Sequence, residues 1–196
     1  MASLGYIVVI LDTNTPNDGL ADRASALAAA VDFIKAENSN SASPVSGKID
    51  ENKIAIMGHS IGGGASLAAA AQLGNQVKAV IPLSLYCCEL GGSFDGDYAA
   101  LTTPALVIAS AADEGAAPAQ HAKLVYDSIG GSKIYMEFSE GDHSISANGG
   151  PDLDTIGKFV LAFLKVNLDG KQNLAGFINE PGADYAGKFS RYQTSP

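Results

Sequence analysis

Residues 54–73, which read IAIMGHSIGGGASLAAAAQL, decide the fold. The first four residues form a short apolar run typical of a buried strand, and from 63 to 73 alanines and larger apolar residues recur at helical spacing. Between the two lies GHSIG at 58–62, which matches the G-x-S-x-G pattern of a nucleophile elbow. In that strained strand-to-helix turn a serine hydroxyl stands above the sheet, so we predict Ser60 as a nucleophile.

The rest of the chain repeats this alternation of strand and helix. Apolar runs rich in Val and Ile predict strands at 6–11, 53–57, 79–83, 105–109 and 133–138. Helical spacing predicts helices at 20–35, 63–73, 117–128 and 153–166. Such alternation predicts an α/β fold, with a mostly parallel sheet of about five strands covered by helices on both faces.

Length and composition favour one domain spanning residues 1–196. A chain of 196 residues can bury about two thirds of the surface that it exposes when unfolded. A run rich in Ser, Asn and Gly predicts a surface loop at 38–48, and three glycines with two aspartates predict another at 88–100. The tail at 169–196 has only weak periodicity, and we expect it to be irregular and to lie on the surface.

The charge balance excludes some partners. The chain carries 12 Lys and Arg against 21 Asp and Glu and has no basic run, which argues against nucleic acid as a partner. Its longest apolar runs fall far short of the roughly 20 residues that cross a bilayer, so we expect no membrane span. The N-terminal sequence has no readable signal-peptide pattern.

A nucleophilic serine needs a base, and three histidines are available. His143 follows the last predicted strand of the alternating pattern, where ligands bind in parallel sheets, so we predict it as the base. His59 lies within the elbow, and we expect its side chain to point away from Ser60. His121 falls in a predicted helix and is interpreted as a surface residue or a histidine with satisfied hydrogen bonds.

The base needs a carboxylate to hold its tautomer, and the chain order of this type of fold places that acid between the serine and the histidine. Asp113 lies there, shortly after the predicted strand at 105–109. Glu114 could do the same work with a longer side chain. Asp142 is beside the base and is interpreted as a solvated loop charge.

Several further stretches resemble one family, the bacterial cutinases and PET hydrolases, which are polyester hydrolases. Asp113 lies nine residues after Pro104 and eight before His121, as does the acid of that family relative to its equivalents. The resemblance covers roughly residues 1–170 and rests on LGYIVV at 4–9, DTNT at 12–15, IAIMGHSIGGG at 54–64, AVIPL at 79–83, TPAL at 103–106, QHA at 120–122, YME at 135–137, and His143.

The resemblance implies a secreted α/β-hydrolase that needs no cofactor and no metal. Its substrates would be short-chain esters, cutin-like polymers or aromatic polyesters. The backbone N–H of Ile61, which follows the nucleophile, would donate to the oxyanion. Tyr86 falls where the family usually has tryptophan, and it would grip the acyl or aromatic group; alternatively, it is an ordinary aromatic residue at a strand end.

The largest departure from the family is at the N-terminus. The chain begins just before what resembles the family's fourth strand, so we expect the first three strands, one helix and the usual oxyanion loop to be missing. Loss of one oxyanion donor costs roughly 100- to 1,000-fold in rate. A sheet that starts there would have an open edge, which would allow a homodimer.

Smaller departures concern the loops. The loop at 114–118 has one residue more before its proline than the family pattern, and Asp142-His143-Ser144 replaces a small residue and an aromatic around the base. The family's C-terminal cysteine pair is absent. Cys87 and Cys88 have no counterpart in the family, and because they are adjacent we expect two idle thiols rather than a disulfide.

We therefore predict a serine esterase, cutinase-like or acting on polyesters, with Ser60, His143 and Asp113 as its triad. One alternative is a folded but inactive remnant that serves as a binding module. Another is a lipase or dienelactone-hydrolase-like enzyme that acts on soluble esters, which an assay on a solid polyester would distinguish.

Overall fold

The computed structural model describes residues 1–88, 92, 94, 96–146, 150 and 152–196. Its sheet has five strands in the order β1-β2-β3-β4-β5. They are β1 Ala55–His59, β2 Ala79–Leu83, β3 Ala105–Ser110, β4 Lys133–Phe138 and β5 Phe189–Ser195. The first four are parallel and β5 is antiparallel to β4, which confirms the mostly parallel sheet.

The helices lie on both faces of this sheet, as the α/β pattern predicts. They are α1 Leu20–Ser39, α2 Ile61–Leu73, α3 Ala122–Ser128, α4 Leu153–Asp169 and α5 Ala175–Asn179. Apolar residues of α1, α2 and α3 share one core cluster, and those of α4 and α5 share the other. None of the helices in the described part of the chain is long and apolar enough to span a membrane.

Alternation along the strands divides the two cores. Successive side chains of a strand point to opposite faces, so Val107 of β3 joins the α1–α2–α3 core while Leu106 and Ile108 join the α4–α5 core. All six residues of β3 are buried, which explains its unbroken apolar run. Each such Val, Leu or Ile contributes about 1.5–3 kcal/mol on burial.

The strand predicted at 6–11 is not formed. Those residues adopt no regular secondary structure, and the side chain of Ile10 is 90% exposed. An apolar run becomes a strand only where a neighbour supplies backbone partners. Among the described strands, β1 lies at an edge and pairs only with β2, so the 6–11 segment joins no ladder.

The prediction of an irregular tail at 169–196 is also wrong, because these residues contain α5 and β5. The outer part of the tail pairs with β4 along Lys133–Phe138. Phe189 and Tyr192 of β5 contact the fully buried Phe159 of α4. These contacts span at least thirty residues of sequence, so local periodicity does not reveal them. The predicted loop at 88–100 includes residues 89–91, 93 and 95, which lie outside the described residues.

The helix predicted at 117–128 begins five residues later, at Ala122. Residues 118–121 form turns, and His121 has a non-helical backbone with φ −129° and ψ −83°. His121 therefore lies outside the helix in which its sequence pattern placed it. Its ring is buried and contacts Cys87 across the neighbouring loop, and this long-range contact outweighs the local helical pattern.

Candidate active site

Ser60 occupies the sharp turn between β1 and α2. Its φ of 59° and ψ of −126° lie in a region that non-glycine residues rarely adopt, at a cost of about 1–3 kcal/mol. Hydrogen bonds hold this conformation: Ser60 N–H donates to the Leu83 carbonyl at 3.0 Å, and Tyr86 N–H donates to the Ser60 carbonyl at 2.9 Å. The segment that follows β2 thus fixes the turn.

The glycines around this serine have unequal roles. A Cβ at Gly58 would lie 2.1 Å from the Gly62 carbonyl oxygen, whereas a Cβ at Gly62 would meet nothing within 4 Å. At Gly64, a Cβ would lie 2.3 Å from the Tyr86 carbonyl oxygen. Gly58 and Gly64 are therefore required, because the backbone of another residue approaches each of them closely, whereas Gly62 is not required for this reason.

His143 brings a ring nitrogen to Ser60. The Ser60 hydroxyl donates to His143 Nε2 at 2.8 Å, although the two residues are 83 positions apart. The other ring nitrogen, Nδ1, donates to the carboxylate of Asp113, at 2.9 and 3.0 Å from its two oxygens. Ser60, Asp113 and His143 follow β1, β3 and β4, so the carboxyl ends of three parallel strands bring them together.

The Asp113 side chain is almost fully buried, at 1% exposed, and Ala116 N–H donates to its Oδ1 at 2.7 Å. A Cβ at Gly115 would lie 3.0 Å from His143 Cγ, so glycine lets the acid loop approach the ring. The two other candidate carboxylates lie elsewhere. Glu114 is exposed, and Asp142 accepts hydrogen bonds from the Ser144 hydroxyl and N–H, which lower its pKa.

His59 is a site residue that the sequence did not assign. Its Nε2–H donates to the backbone carbonyl of His143 at 2.7 Å, and the two ring centroids are 4.8 Å apart. The ring of His59 thus fixes the backbone that carries the His143 ring. The elbow motif draws attention to this position, but the 84-residue separation hides its partner.

Ser110, the last residue of β3, holds the His143 loop in a similar way. Its hydroxyl contacts the carbonyls of Glu140 at 3.0 Å and of Gly141 at 2.5 Å, and Ile145, two residues after His143, is buried in the α4–α5 core. These contacts limit the movement of His143.

An open groove of about 270 Å³ lies beside the His143 ring. Two of its residues, Glu114 and Asp142, are acidic and exposed. The lining is formed by Ala112, Glu114, Gly115, Asp142, His143 and Ser144. A ligand in this groove would contact His143 beside a negatively charged rim; Ser60 is not among the lining residues.

Ile61 is the first residue of α2, directly after Ser60. Backbone N–H groups in the first turn of a helix have no acceptor within the helix and carry its positive end. Tyr86 is half-buried, and its ring lies 4.1 Å from the ring of His121 at an angle of 35°. Ile61 follows Ser60 in the chain, and the Tyr86 N–H donates to the Ser60 carbonyl at 2.9 Å, so the backbone of both residues adjoins the turn that carries Ser60.

His121 is buried, and its Nδ1 accepts the Cys87 N–H at 3.4 Å. Burial is the largest influence on its ring and lowers its pKa, while the nearby Asp113 charge acts in the opposite direction. The sulfurs of Cys87 and Cys88 lie 3.1 Å apart, well beyond the ~2.05 Å of a disulfide bond.

The five-stranded, mostly parallel sheet, with helices on both faces and a strained serine in the turn between β1 and α2, defines an α/β-hydrolase fold. The chain belongs to the PET hydrolase-like family, which matches residues 1–195.

Three curated relatives are about one third identical to the chain. Cutinase est1 of Thermobifida alba is 33% identical over 182 residues, which cover 91% of this chain and 56% of that protein. Bis(hydroxyethyl) terephthalate hydrolase of Streptomyces coelicolor is 32% identical over 180 residues, covering 91% and 53%. Cutinase 2 of Thermobifida cellulosilytica is 32% identical over 182 residues, covering 91% and 64%. The chain spans about half the length of the curated relatives that it matches.

Proposed function

We propose that the chain hydrolyses carboxylic esters, with Ser60 as nucleophile, His143 as general base and acid, and Asp113 as the orienting carboxylate. One observation carries this proposal: the Ser60 hydroxyl lies 2.8 Å from His143 Nε2 while Nδ1 of the same ring lies 2.9 Å from Asp113. A base within hydrogen-bond distance of the hydroxyl, itself oriented by a third group, is the arrangement that activates a serine.

The reaction would proceed in two halves. Because Nδ1–H is donated to Asp113, the lone pair of Nε2 faces Ser60 and can accept the hydroxyl proton as Oγ attacks the ester carbonyl. His143 then gives this proton to the leaving alcohol, and an acyl-serine remains. In the second half His143 takes a proton from water as its oxygen attacks the acyl-serine carbonyl. The bond from the carbonyl carbon to Ser60 Oγ then breaks, His143 returns the proton to Oγ, and the carboxylic acid is released.

The negative oxygen of each tetrahedral intermediate would be stabilised by the backbone N–H of Ile61. This group belongs to the first turn of α2, whose helix dipole also favours negative charge there. One such donor is typically worth about 100- to 1,000-fold in rate. Ile61 and the N-terminus of α2 therefore supply the first part of the oxyanion hole.

The substrate that we propose is an uncharged ester, including polyesters. Relatives named as cutinases and as a bis(hydroxyethyl) terephthalate hydrolase support this class. The groove is open to solvent, so a polymer chain too large to be enclosed in it could still lie across it. Glu114 and Asp142 would repel anionic esters. We assign Tyr86 to contact with the acyl or aromatic group, and we propose that the protein is secreted.

We also propose a homodimer through the edge of the sheet. Among the described strands β1 pairs on one side only, and Met57 within it is 39% exposed. Unpaired strand edges are templates for pairing with another chain. Sedimentation equilibrium would give twice the chain mass of 20.0 kDa if this holds, and the single chain mass at all concentrations would refute it.

The test of the proposed function is hydrolysis of p-nitrophenyl butyrate by the purified chain and by its Ser60→Ala variant. Removing a serine nucleophile lowers kcat by about 10⁶-fold, so the variant should fall to background. Ser128→Ala is a matched control, because its hydroxyl donates to the Val125 carbonyl in α3, away from the groove. It should keep wild-type activity.

A fluorophosphonate probe gives a second readout that needs no particular substrate. The probe should label Ser60 of the wild type covalently, as mass spectrometry of the tryptic peptides would show. Background hydrolysis in both proteins together with no labelling of Ser60 would refute the esterase and favour the binding module. Activity on soluble esters with none on a polyester film would instead favour the lipase-like alternative.

A further inference from the structure

Two thiols and one imidazole converge beside the loop that follows β2. Cys87 Sγ lies 3.1 Å from Cys88 Sγ and 3.2 Å from His121 Nδ1, and the three atoms all lie within 4.8 Å of one another. Cys87 and His121 are each only 6% exposed, while Cys88 is half-buried. The proposed ester hydrolysis uses none of these groups.

The distances suit a single metal ion. Zinc binds thiolate sulfur at about 2.3 Å and imidazole nitrogen at about 2.0–2.1 Å, so a tetrahedral ion holds such donors about 3.5–3.8 Å apart. The two short separations would open by roughly half an ångström, and the third, which lies within 4.8 Å, would close by up to about 1 Å, so side-chain rotation has to bring Cys88 and His121 together. Two sulfurs and one nitrogen form a soft donor set, which selects zinc-like ions over magnesium or calcium.

The orientation of the His121 ring also favours metal binding. Its Nδ1 accepts the N–H of Cys87 at 3.4 Å and lies 3.2 Å from Cys87 Sγ, so this side of the ring faces Cys87. Tyr86 packs against the ring at a centroid distance of 4.1 Å, which limits its rotation. Contacts that orient a ligating imidazole in advance raise the affinity of a metal site, because less freedom is lost on binding.

We propose that Cys87, Cys88 and His121 bind one thiophilic divalent metal ion of the zinc and cadmium class. Both thiols lose their protons to solvent on binding. The long hydrogen bond from Cys87 N–H to His121 Nδ1 breaks so that the Nδ1 lone pair can bind the ion, and a water molecule completes the tetrahedron. The protein releases two protons for each ion, and nothing is oxidised or reduced. The ion connects the loop after β2 to the segment before α3, 34 residues further along the chain.

The test is a titration of the reduced, metal-free protein with Cd²⁺. The ultraviolet charge-transfer band of a cadmium thiolate should grow and saturate at one ion per chain, and Zn²⁺ should remove it by competition. Mg²⁺ prefers oxygen ligands and should leave the band unchanged. The proposal would be overturned if no charge-transfer band appears, or if the band keeps growing beyond one Cd²⁺ per chain without a break in the titration curve.

Variants identify the ligands. Cys87→Ser, Cys88→Ser and His121→Asn should each weaken Cd²⁺ binding at least about tenfold, since the loss of even an outer-sphere partner costs about 10- to 100-fold. The Ser128→Ala variant should bind as the wild type does. If His121→Asn keeps wild-type affinity, the three-ligand site is wrong. Circular dichroism of each metal-free variant checks that it is folded.

A measurement on the wild type alone covers the case in which a variant fails to fold. Zinc should slow the alkylation of Cys87 and Cys88 by iodoacetamide, because a metal-bound thiolate is a poorer nucleophile than a free one, and Mg²⁺ should not. Mass spectrometry reports the labelled fraction against time. Equal labelling rates with and without Zn²⁺ would overturn the proposal, whatever the activity on esters.

Discussion

Replacement of His59 by phenylalanine tests how the base is positioned. The Nε2–H of His59 donates to the His143 carbonyl at 2.7 Å, and the two rings pack at a centroid distance of 4.8 Å. Phenylalanine keeps an aromatic ring at this position but removes the donor. The Asp113 carboxylate still holds the far side of the His143 ring, so we expect a small displacement rather than loss of the base.

The magnitude follows from the one hydrogen bond that is lost. A neutral hydrogen bond contributes about 0.5–1.5 kcal/mol. Every 1.36 kcal/mol of barrier is a factor of about ten in rate, so kcat should fall by about 2- to 12-fold. KM should change less, because His59 acts on the ring that transfers the proton.

The assay is steady-state hydrolysis of p-nitrophenyl butyrate by wild type, His59→Phe and His59→Gln. Glutamine keeps an N–H donor at a similar distance from the backbone and should recover part of the lost kcat. Tyr192→Phe is the matched control, since it removes another hydrogen bond to a carbonyl, that of Ile178, which packs in the α4–α5 core and contacts neither His59 nor His143. An unchanged kcat in His59→Phe would refute the positioning role.

Three further predictions concern the acid, the elbow and the groove. Asp113→Asn should lower kcat by about 10⁴-fold with folding intact, whereas Glu114→Gln should keep most of it; equal losses would contradict the assignment. Gly58→Ala should lower the melting temperature sharply because its Cβ would lie 2.1 Å from the Gly62 carbonyl oxygen, while Gly62→Ala should be tolerated; calorimetry of both compares them. Glu114→Gln combined with Asp142→Asn should raise kcat/KM for an anionic ester more than for a neutral one, and the gain should shrink in high salt. An equal change for both esters would show that the acidic rim does not select substrate charge.

Much of the sheet could be predicted from short apolar runs. The strands predicted at 79–83 and 133–138 match β2 and β4 residue for residue, and the run at 105–109 lacks only the last residue of β3. These strands are buried on both faces, so composition alone marks them. The failed strand at 6–11 has the same composition, which shows that pairing, and not composition, decides the outcome.

The residues of the candidate site also fall into two groups, those that local sequence could identify and those that it could not. Ser60, Asp113 and His143 could be selected because each follows a strand of a parallel sheet, and such positions meet at one edge. The roles of His59 and Ser110 could not be predicted, because each acts on a backbone carbonyl of the His143 loop that is at least 30 residues distant. Nor does the sequence show that Cys87, Cys88 and His121 converge.

The sequence by itself determined the alternation of strands and helices and the elbow at 58–62, and it selected Ser60, Asp113 and His143 as the candidate site residues. These features depend on local periodicity, on glycine at positions of close approach and on the fixed geometry of a parallel sheet. Only the tertiary structure decided that the segment at 6–11 stays unpaired, that the tail supplies β5, and that His121 faces two cysteines. Each of those outcomes depends on a partner far away in the chain, and the local sequence does not show which distant residue will be in contact.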